Sequence, residues 1–194
     1  MNIDRYIAEY TEHLDVAIKQ PFEMITLLGK GAWWVLGTAF LGVFCYLISR
    51  YAPHRSAAHR ALWLSRAKKF LFSFICIASS GLLVNGLKML AGRARPRLWF
   101  REQIEGFFWL KTGSDYASFP SGHANSAAVM ASLAVIFFPR AGWLAVPFFA
   151  LIAISRIVIN AHYSSDVLAG TVIGILSTTA LYRWKKIDLL LDKV

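Results

Sequence analysis

Apolar residues along the chain come in long blocks separated by short polar stretches rich in Arg and Lys. Five blocks are long enough to cross a bilayer as helices, which takes about 20 residues with a range of roughly 17–25. They cover residues 32–51, 70–90, 122–138, 141–159 and 166–184. Upstream, Ile3, Tyr6, Ile7, Tyr10, Leu14 and Ile18 recur at helical spacing, with Asp4, Glu9, Glu12 and Asp15 on the rest, until Pro21 interrupts the pattern. That predicts a helix lying in the membrane interface within residues 1–30. A sixth span built on residues 22–28 is too short unless it runs on into the first block. No internal repeat or linker divides the chain. The expected architecture is all-α: one membrane-embedded domain, residues 1–194, a polytopic helical bundle of five to six spans with an N-terminal interfacial helix.

Composition supports this and removes the soluble alternatives. On the count that takes Gly in and leaves Tyr out, roughly 60% of residues are apolar against about 45–50% in soluble chains, and charged residues are 16% against about 25%. A soluble domain of this size has no interior large enough to hide that surface. Cys45 and Cys76 lie inside apolar blocks and pack as small apolar residues, not as a disulfide frame. The first thirty residues contain Asp4, Glu9, Glu12 and Asp15 and no basic start before an apolar core, so no cleaved signal peptide is expected.

The net charge of +10 would suggest nucleic acid in a soluble protein. Here the basic residues sit between spans, which points to membrane orientation and to no nucleic-acid partner. One set of connections holds Arg50, Arg55, Arg60, Arg66, Lys68, Lys69, Arg140, Arg183, Lys185, Lys186 and Lys193, with only Asp188 and Asp192 as acids. The positive-inside rule makes that side cytoplasmic. The expected location is a bacterial inner membrane, with the opposite face periplasmic or external.

Ionisable residues bordering apolar spans are costly and mark function. Lys88, His123, Arg156 and Asp166 each lie at a span end, and alternating helix direction puts all four on the face opposite the basic connections. Lys88 and Arg95 are seven residues apart, about two turns, and would project from one side of a continuing helix. Ser121 and Gly122 precede an apolar run, where free backbone N–H groups can hold phosphate oxygens. Arg156 adds a forked donor. The implied ligand is a phosphate. Asp166, four residues after His162, is placed to fix its tautomer and leave the other ring nitrogen free as nucleophile or base, and His123 is suited to protonating a leaving oxygen. A pH-sensing or packing cluster is the alternative reading of the two histidines. Carboxylates within these segments are too few for a two-metal site, and no metal or cofactor is expected.

The run Lys88-Met89-Leu90-Ala91-Gly92-Arg93-Ala94-Arg95-Pro96, the tetrapeptide Pro120-Ser121-Gly122-His123, and Ser155-Arg156 followed by His162 and Asp166 resemble the three signature motifs of the type 2 phosphatidic acid phosphatase (PAP2) family. All three occur in order, with the family's internal spacings, across residues 88–166. The resemblance implies a nucleophilic role for His162, oriented by Asp166, a general-acid role for His123, and phosphoryl binding by Lys88, Arg95, Ser121, Gly122 and Arg156. It implies hydrolysis of a terminal phosphate or diphosphate on a membrane lipid (undecaprenyl diphosphate, phosphatidylglycerophosphate, phosphatidate or a lipid A phosphate) through a phosphohistidine. The partners are then the lipid substrate and the bilayer; oligomeric state has no sequence signal. A lipid-to-lipid phosphotransferase of the same fold and a non-catalytic anion-binding transporter are the alternatives. Family members of this kind commonly have six spans, where five are counted here. Trp99, Phe100, Phe107, Phe108 and Trp109 in the connection 91–120 suit a headgroup-level lid or lipid entrance. Gly170 and Gly174 suit close helix packing.

Overall fold

The computed structural model describes residues 3–52 and 56–184. Arg55, Lys185, Lys186, Asp188, Asp192 and Lys193, used above to assign the two sides, lie outside the described residues. The fold is a helical bundle: α1 (Ile3–Glu12), α2 (Val16–Leu27), α3 (Gly31–Tyr51), α4 (Ala57–Ala91), α5 (Pro96–Glu102), α6 (Gly122–Phe137), α7 (Val146–Val158) and α8 (Ser164–Arg183). Three apolar segments, Val16–Tyr51, Ala57–Ala91 and Ser164–Arg183, are long and apolar enough to cross a membrane, and Gly122–Phe137 and Gly142–Val158 are shorter apolar ones. Leu36, Phe40, Leu82, Leu168, Val172 and Leu176 point outward and exposed. Water would strongly disfavour such a surface, whereas lipid is its matching solvent, so the bundle is an integral membrane one.

α6 is the central rod, packed against α4, α7 and α8. Its contact with α8 is backbone-close. A Cβ at Gly170 would overlap the Ser121 carbonyl oxygen, and one at Gly174 would lie 2.6 Å from the Asn125 carbonyl oxygen. The small-residue spacing expected for packing therefore sets how near α8 comes to the start of α6. One turn deeper, a buried chain of hydrogen bonds from Ser177 to Ser80 (2.9 Å) and from Ser80 to Asn125 (2.6 Å) ties α8, α4 and α6 together. In a lipid setting such polar links hold helices where hydrophobic burial supplies little driving force between them.

The structure departs from the sequence expectations at three places. The N-terminal helical pattern breaks at His13–Asp15, before Pro21, because the Asp15 carboxylate accepts from the Ala17 N–H and caps a new helix; Pro21 sits inside α2. Both ends of α2 stay at one end of the bundle. Glu12, just before it, accepts from Asn160, and Thr26 near its close accepts from Arg156. The second departure is α4, which begins 13 residues before the apolar block at 70 because Ser56 caps it and the basic stretch is itself helix-forming. The third is its end. Gly92 adopts a left-handed φ of 54° and its N–H closes on the Lys88 carbonyl, so Lys88 and Arg95 do not share a helix.

α1 turns its faces opposite to a soluble amphipathic helix. Asp4, Ala8 and Thr11 are buried against the protein, while Ile3, Tyr6 and Tyr10 are exposed. An interfacial helix does this when lipid, not protein, receives its apolar side.

Gly170→Ala should force α8 away from Ser121, lowering stability by about 1–3 kcal/mol as overpacking does. Thermal unfolding of the purified protein in detergent measures it, and an unchanged midpoint would show that the close approach at Ser121 is not a constraint.

Candidate active site

The residues expected from the sequence to catalyse or to bind phosphate come to one end of the bundle. Lys88 arrives from the last turn of α4 and Arg95 from the connection after it, and both donate to the same carbonyl, Ala117 O, at 2.8 and 3.3 Å. They converge through the chain reversal at Gly92, not by helical spacing. Arg95 is fixed further by donating to Ser114 O (2.7 Å) and Ala161 O (2.9 Å). Ser121 caps α6, its hydroxyl accepting from Ala124 N–H at 3.4 Å. The Lys88 Cε lies 3.9 Å from where a Gly122 Cβ would stand, so the α6 N-terminus and the ammonium stem face one another. Arg156, in the last turn of α7, donates from Nη1 to Thr26 Oγ1 at 2.5 Å, and its buried Nε has no protein partner. An unpaired buried guanidinium N–H beside two other cations is a donor set for an anion.

His162 lies in the turn between α7 and α8 and is 3% exposed, which puts its ring inside the protein. Its Nδ1 is 2.7 Å from the Ser118 carbonyl oxygen. A carbonyl only accepts, so Nδ1 carries the proton and Nε2 keeps its lone pair. The expected direct bond to Asp166 is not the one that sets the tautomer: Asp166 Oδ2 is 3.8 Å from Nδ1. That carboxylate is held by Ser118 Oγ (2.6 Å) and Tyr163 N–H (2.8 Å) on Oδ2, and by Arg93 Nη1 (2.6 Å) on Oδ1. The difference comes from α8. Asp166 is the third residue of its first turn and reaches back to the N-terminal amides, leaving Ser118 to meet the ring. Asp166 acts on His162 as a near charge.

Burial lowers the His162 imidazole from its ordinary 6.5 to about 3; Asp166 pulls it upward, and Arg95 and Lys88 add to the lowering. The ring is therefore neutral at ordinary pH. Burial and the neighbouring Arg97 also lower the Arg95 guanidinium.

Residues that the sequence reading left without a role complete the site. Ser118 contacts both His162 and Asp166, and Thr26 holds Arg156. Arg93, 8% exposed, bonds Asp166, Ser165 (2.6 Å) and Asp4 (2.8 Å). A charged residue between Gly92 and Ala94 and two before Arg95 was the visible signal for Arg93. Ser118 and Thr26 have none. Among the described residues no three His, Cys, Asp or Glu side chains group as metal ligands.

Two cavities border the site. One of about 460 Å³, between α3, α4 and α6, is lined by Gly31, Val35, Gly81, Val84, Gly122 and His123 and is mostly apolar. The other, also about 460 Å³, is lined by Glu12, Arg95, Arg97, Arg101, Arg156 and Asn160 and is strongly cationic. The aromatic connection is folded, not loose: Phe107 pairs with Arg93 in a β-bridge and contacts the Phe119 ring at 5.7 Å, while Trp109 is exposed.

The model of the PAP2 superfamily matches residues 69–188. A lipid A 1-phosphatase of Rhizobium etli is 29% identical over 161 residues, covering 81% of this chain and 67% of that protein. Another, of Porphyromonas gingivalis, is 33% identical over 116 residues, covering 58% of this chain and 23% of that protein. The chain thus spans about two thirds of the Rhizobium relative and less than a quarter of the Porphyromonas one. The crystal structure of a transmembrane PAP2-type phosphatidylglycerolphosphate phosphatase from Bacillus subtilis has the same fold, with a TM-score of 0.66 at 22% identity, covering 98% of this chain and 86% of that one.

Nitrogen NMR of the histidine side chains should find His162 neutral with its proton on Nδ1 from about pH 5 to pH 8, since its protonation is displaced downward. An imidazolium signal at pH 6, or a proton on Nε2, would contradict the assigned hydrogen bond to Ser118.

Proposed function

The chain belongs to the PAP2 superfamily, and from that premise and the geometry of its site we propose that it is a membrane lipid phosphatase acting through a phosphohistidine. The observation that carries this reading is the His162 ring. It is buried and neutral, and its Nδ1 proton is engaged by Ser118, which leaves Nε2 with a free lone pair in the field of Arg95 and Lys88. In the first step Nε2 bonds phosphorus, the bond from phosphorus to the lipid oxygen breaks, and His123 gives that oxygen its proton. In the second, water bonds phosphorus, the N–P bond breaks, and His123 takes the water proton. Lys88, Arg95 and Arg156, with the α6 N-terminus at Ser121 and Gly122, balance the charge on the equatorial oxygens. Asp166 balances the charge on the phosphorylated ring.

His123 needs explaining as an acid. It is the second residue of α6 and lies near Arg156, so its protonated form needs a counter-charge. A phosphate dianion seated among those cations reverses the local balance and supplies the counter-charge. The apolar cavity beside His123 favours placing the departing lipid there. The arginine-lined cavity beside Arg95 and Arg156 favours water entry and phosphate exit on the other side.

The charge of the phosphoryl oxygens is met by side chains, so the reaction is proposed to need no metal. Among substrates, the names of the Rhizobium and Porphyromonas relatives put lipid A carrying a 1-phosphate first, ahead of undecaprenyl diphosphate, phosphatidylglycerophosphate and phosphatidate. Purified protein in detergent should release inorganic phosphate from this panel in chelator, most rapidly from lipid A. Phosphate that moves to a second lipid instead would make it a phosphotransferase, and no turnover on any of them would reject the reading. His162→Ala should abolish turnover, and Asp166→Asn should slow it about a hundredfold, as loss of one aimed charge does. Activity that vanishes in chelator and returns only with added metal would overturn the metal-free chemistry.

The site is proposed to open on the periplasmic or outer face. In a background lacking Cys45 and Cys76, Ser114→Cys should react with a membrane-impermeant thiol reagent on intact spheroplasts, and Ser56→Cys only after permeabilisation. The reverse pattern would put the site in the cytoplasm.

A further inference from the structure

The N-terminal helix inserts a second carboxylate into the charge network behind the nucleophile. Asp4 is buried, and its Oδ2 meets Arg93 Nη2 at 2.8 Å and the Ser165 hydroxyl. Its Oδ1 accepts from Ser164 Oγ (2.5 Å) and from the Ser165 N–H (2.9 Å). It thereby caps the start of α8 from another part of the chain. Burial would raise the Asp4 carboxyl, but the bonds from Ser164, Ser165 and Arg93 outweigh it and hold it at about 2, so it is charged at ordinary pH. Arg93 is the link. One guanidinium nitrogen holds Asp4 and another holds Asp166 at 2.6 Å, and the Tyr163 and Phe107 rings cover it with their centroids 4.6 and 5.1 Å away.

We propose that Asp4 is a positioning residue for the phosphatase chemistry, acting through Arg93 to keep the negative charge of Asp166 available to His162. The inference rests on the phosphohistidine reading and follows from the sharing of Arg93. Bonded to Asp166 alone, Arg93 would set its whole positive charge against that carboxylate; bonded also to Asp4, it is divided between two acids. In a low-dielectric setting a less fully offset Asp166 favours the step that leaves the His162 ring positive and forms the N–P bond. Asp4 touches neither substrate nor ring, so its effect must travel through Arg93 and Asp166. The exposed apolar face of α1 gives the helix its seat in lipid, and the buried face delivers the acid.

The test is a double-mutant cycle on the full-length protein with lipid A as substrate. Asp4→Asn keeps shape and hydrogen-bonding capacity but removes the charge. It should lower kcat about tenfold with KM within about twofold, and the same change in an Asp166→Asn background should cost less than about twofold, because the path to His162 is already cut. An equal loss in both backgrounds would make Asp4 a purely structural residue and overturn the proposal, as would full activity of Asp4→Asn. Asp4→Glu should recover part of the loss. A second readout does not depend on turnover: the His162 Nδ1 proton resonance should move in Asp4→Asn and stay in place in Glu9→Gln, which changes an acid on the same helix. A resonance that does not move in Asp4→Asn overturns the proposal even if the protein hydrolyses none of the lipids, and a shift with no turnover rejects the phosphatase reading alone.

Discussion

A single buried carboxylate, that of Asp166, organises this end of the molecule. An ionised acid away from water is strongly unfavourable unless every oxygen is met, and here the partners come from separate parts of the chain. Ser118 arrives from the segment before α6, Arg93 from the turn after α4, and the Tyr163 N–H from the start of α8. The Asp166 backbone also accepts from the Ser121 N–H at 2.9 Å, which pins the cap of α6 to the first turn of α8. Satisfying one acid therefore aligns the ring, the N-terminus of α6 and the arginine-bearing turn. Removing any partner leaves a charge exposed to a low dielectric, so the arrangement is held together as a unit.

Lipid as solvent explains the rest of the architecture. Outward apolar side chains cost nothing there, so helices are fixed by close backbone contact at Gly170 and Gly174 and by the Ser177–Ser80–Asn125 chain. The same solvent lets α1 carry its polar face inward. A helix that in water would bury Ile3, Tyr6 and Tyr10 instead buries Asp4 and Thr11, the latter donating to Asn160 Oδ1 at 2.7 Å. An interfacial segment becomes a wall of the site because its polar residues find polar partners only there.

Much of this was legible in the amino-acid sequence because membrane insertion leaves long, coarse signals. The apolar blocks mark α3, α6, α7 and α8 closely and the second part of α4, and the position of ionisable residues at block ends is enough to gather Lys88, His123, Arg156 and Asp166 at one end. What was not legible depended on backbone geometry and on partners far away in sequence. Gly92 in a left-handed conformation redirects the chain after α4, so two turns of helical spacing gave the right convergence of Lys88 and Arg95 for a wrong reason. The four-residue spacing of His162 and Asp166 suggested a direct bond, but the ring meets the Ser118 carbonyl, 44 residues away in sequence. Backbone acceptors carry no residue code. Asp4 looked like one acid among several on a polar face, and only the packing of α1 on α7 and α8 separates it from Glu9 and Glu12.

The site is electrostatically one-sided. Lys88, Arg95, Arg156 and the α6 N-terminus accumulate positive charge in front of His162, while Asp166 and Asp4 stand behind it around Arg93. In the proposed reaction a phosphate entering from the front would neutralise the cations, and the phosphorylated ring would be answered from behind. Charge separation of this kind is costly to fold, and it persists because hydrogen bonds to Ala117, Ser118, Thr26, Ser164 and Ser165 hold each charged group in place. Those fixed dipoles would need no reorganisation as charge moved from oxygen to ring and back in the proposed reaction, which is how a rigid bundle in lipid could stabilise a transition state that water would have to rearrange to meet.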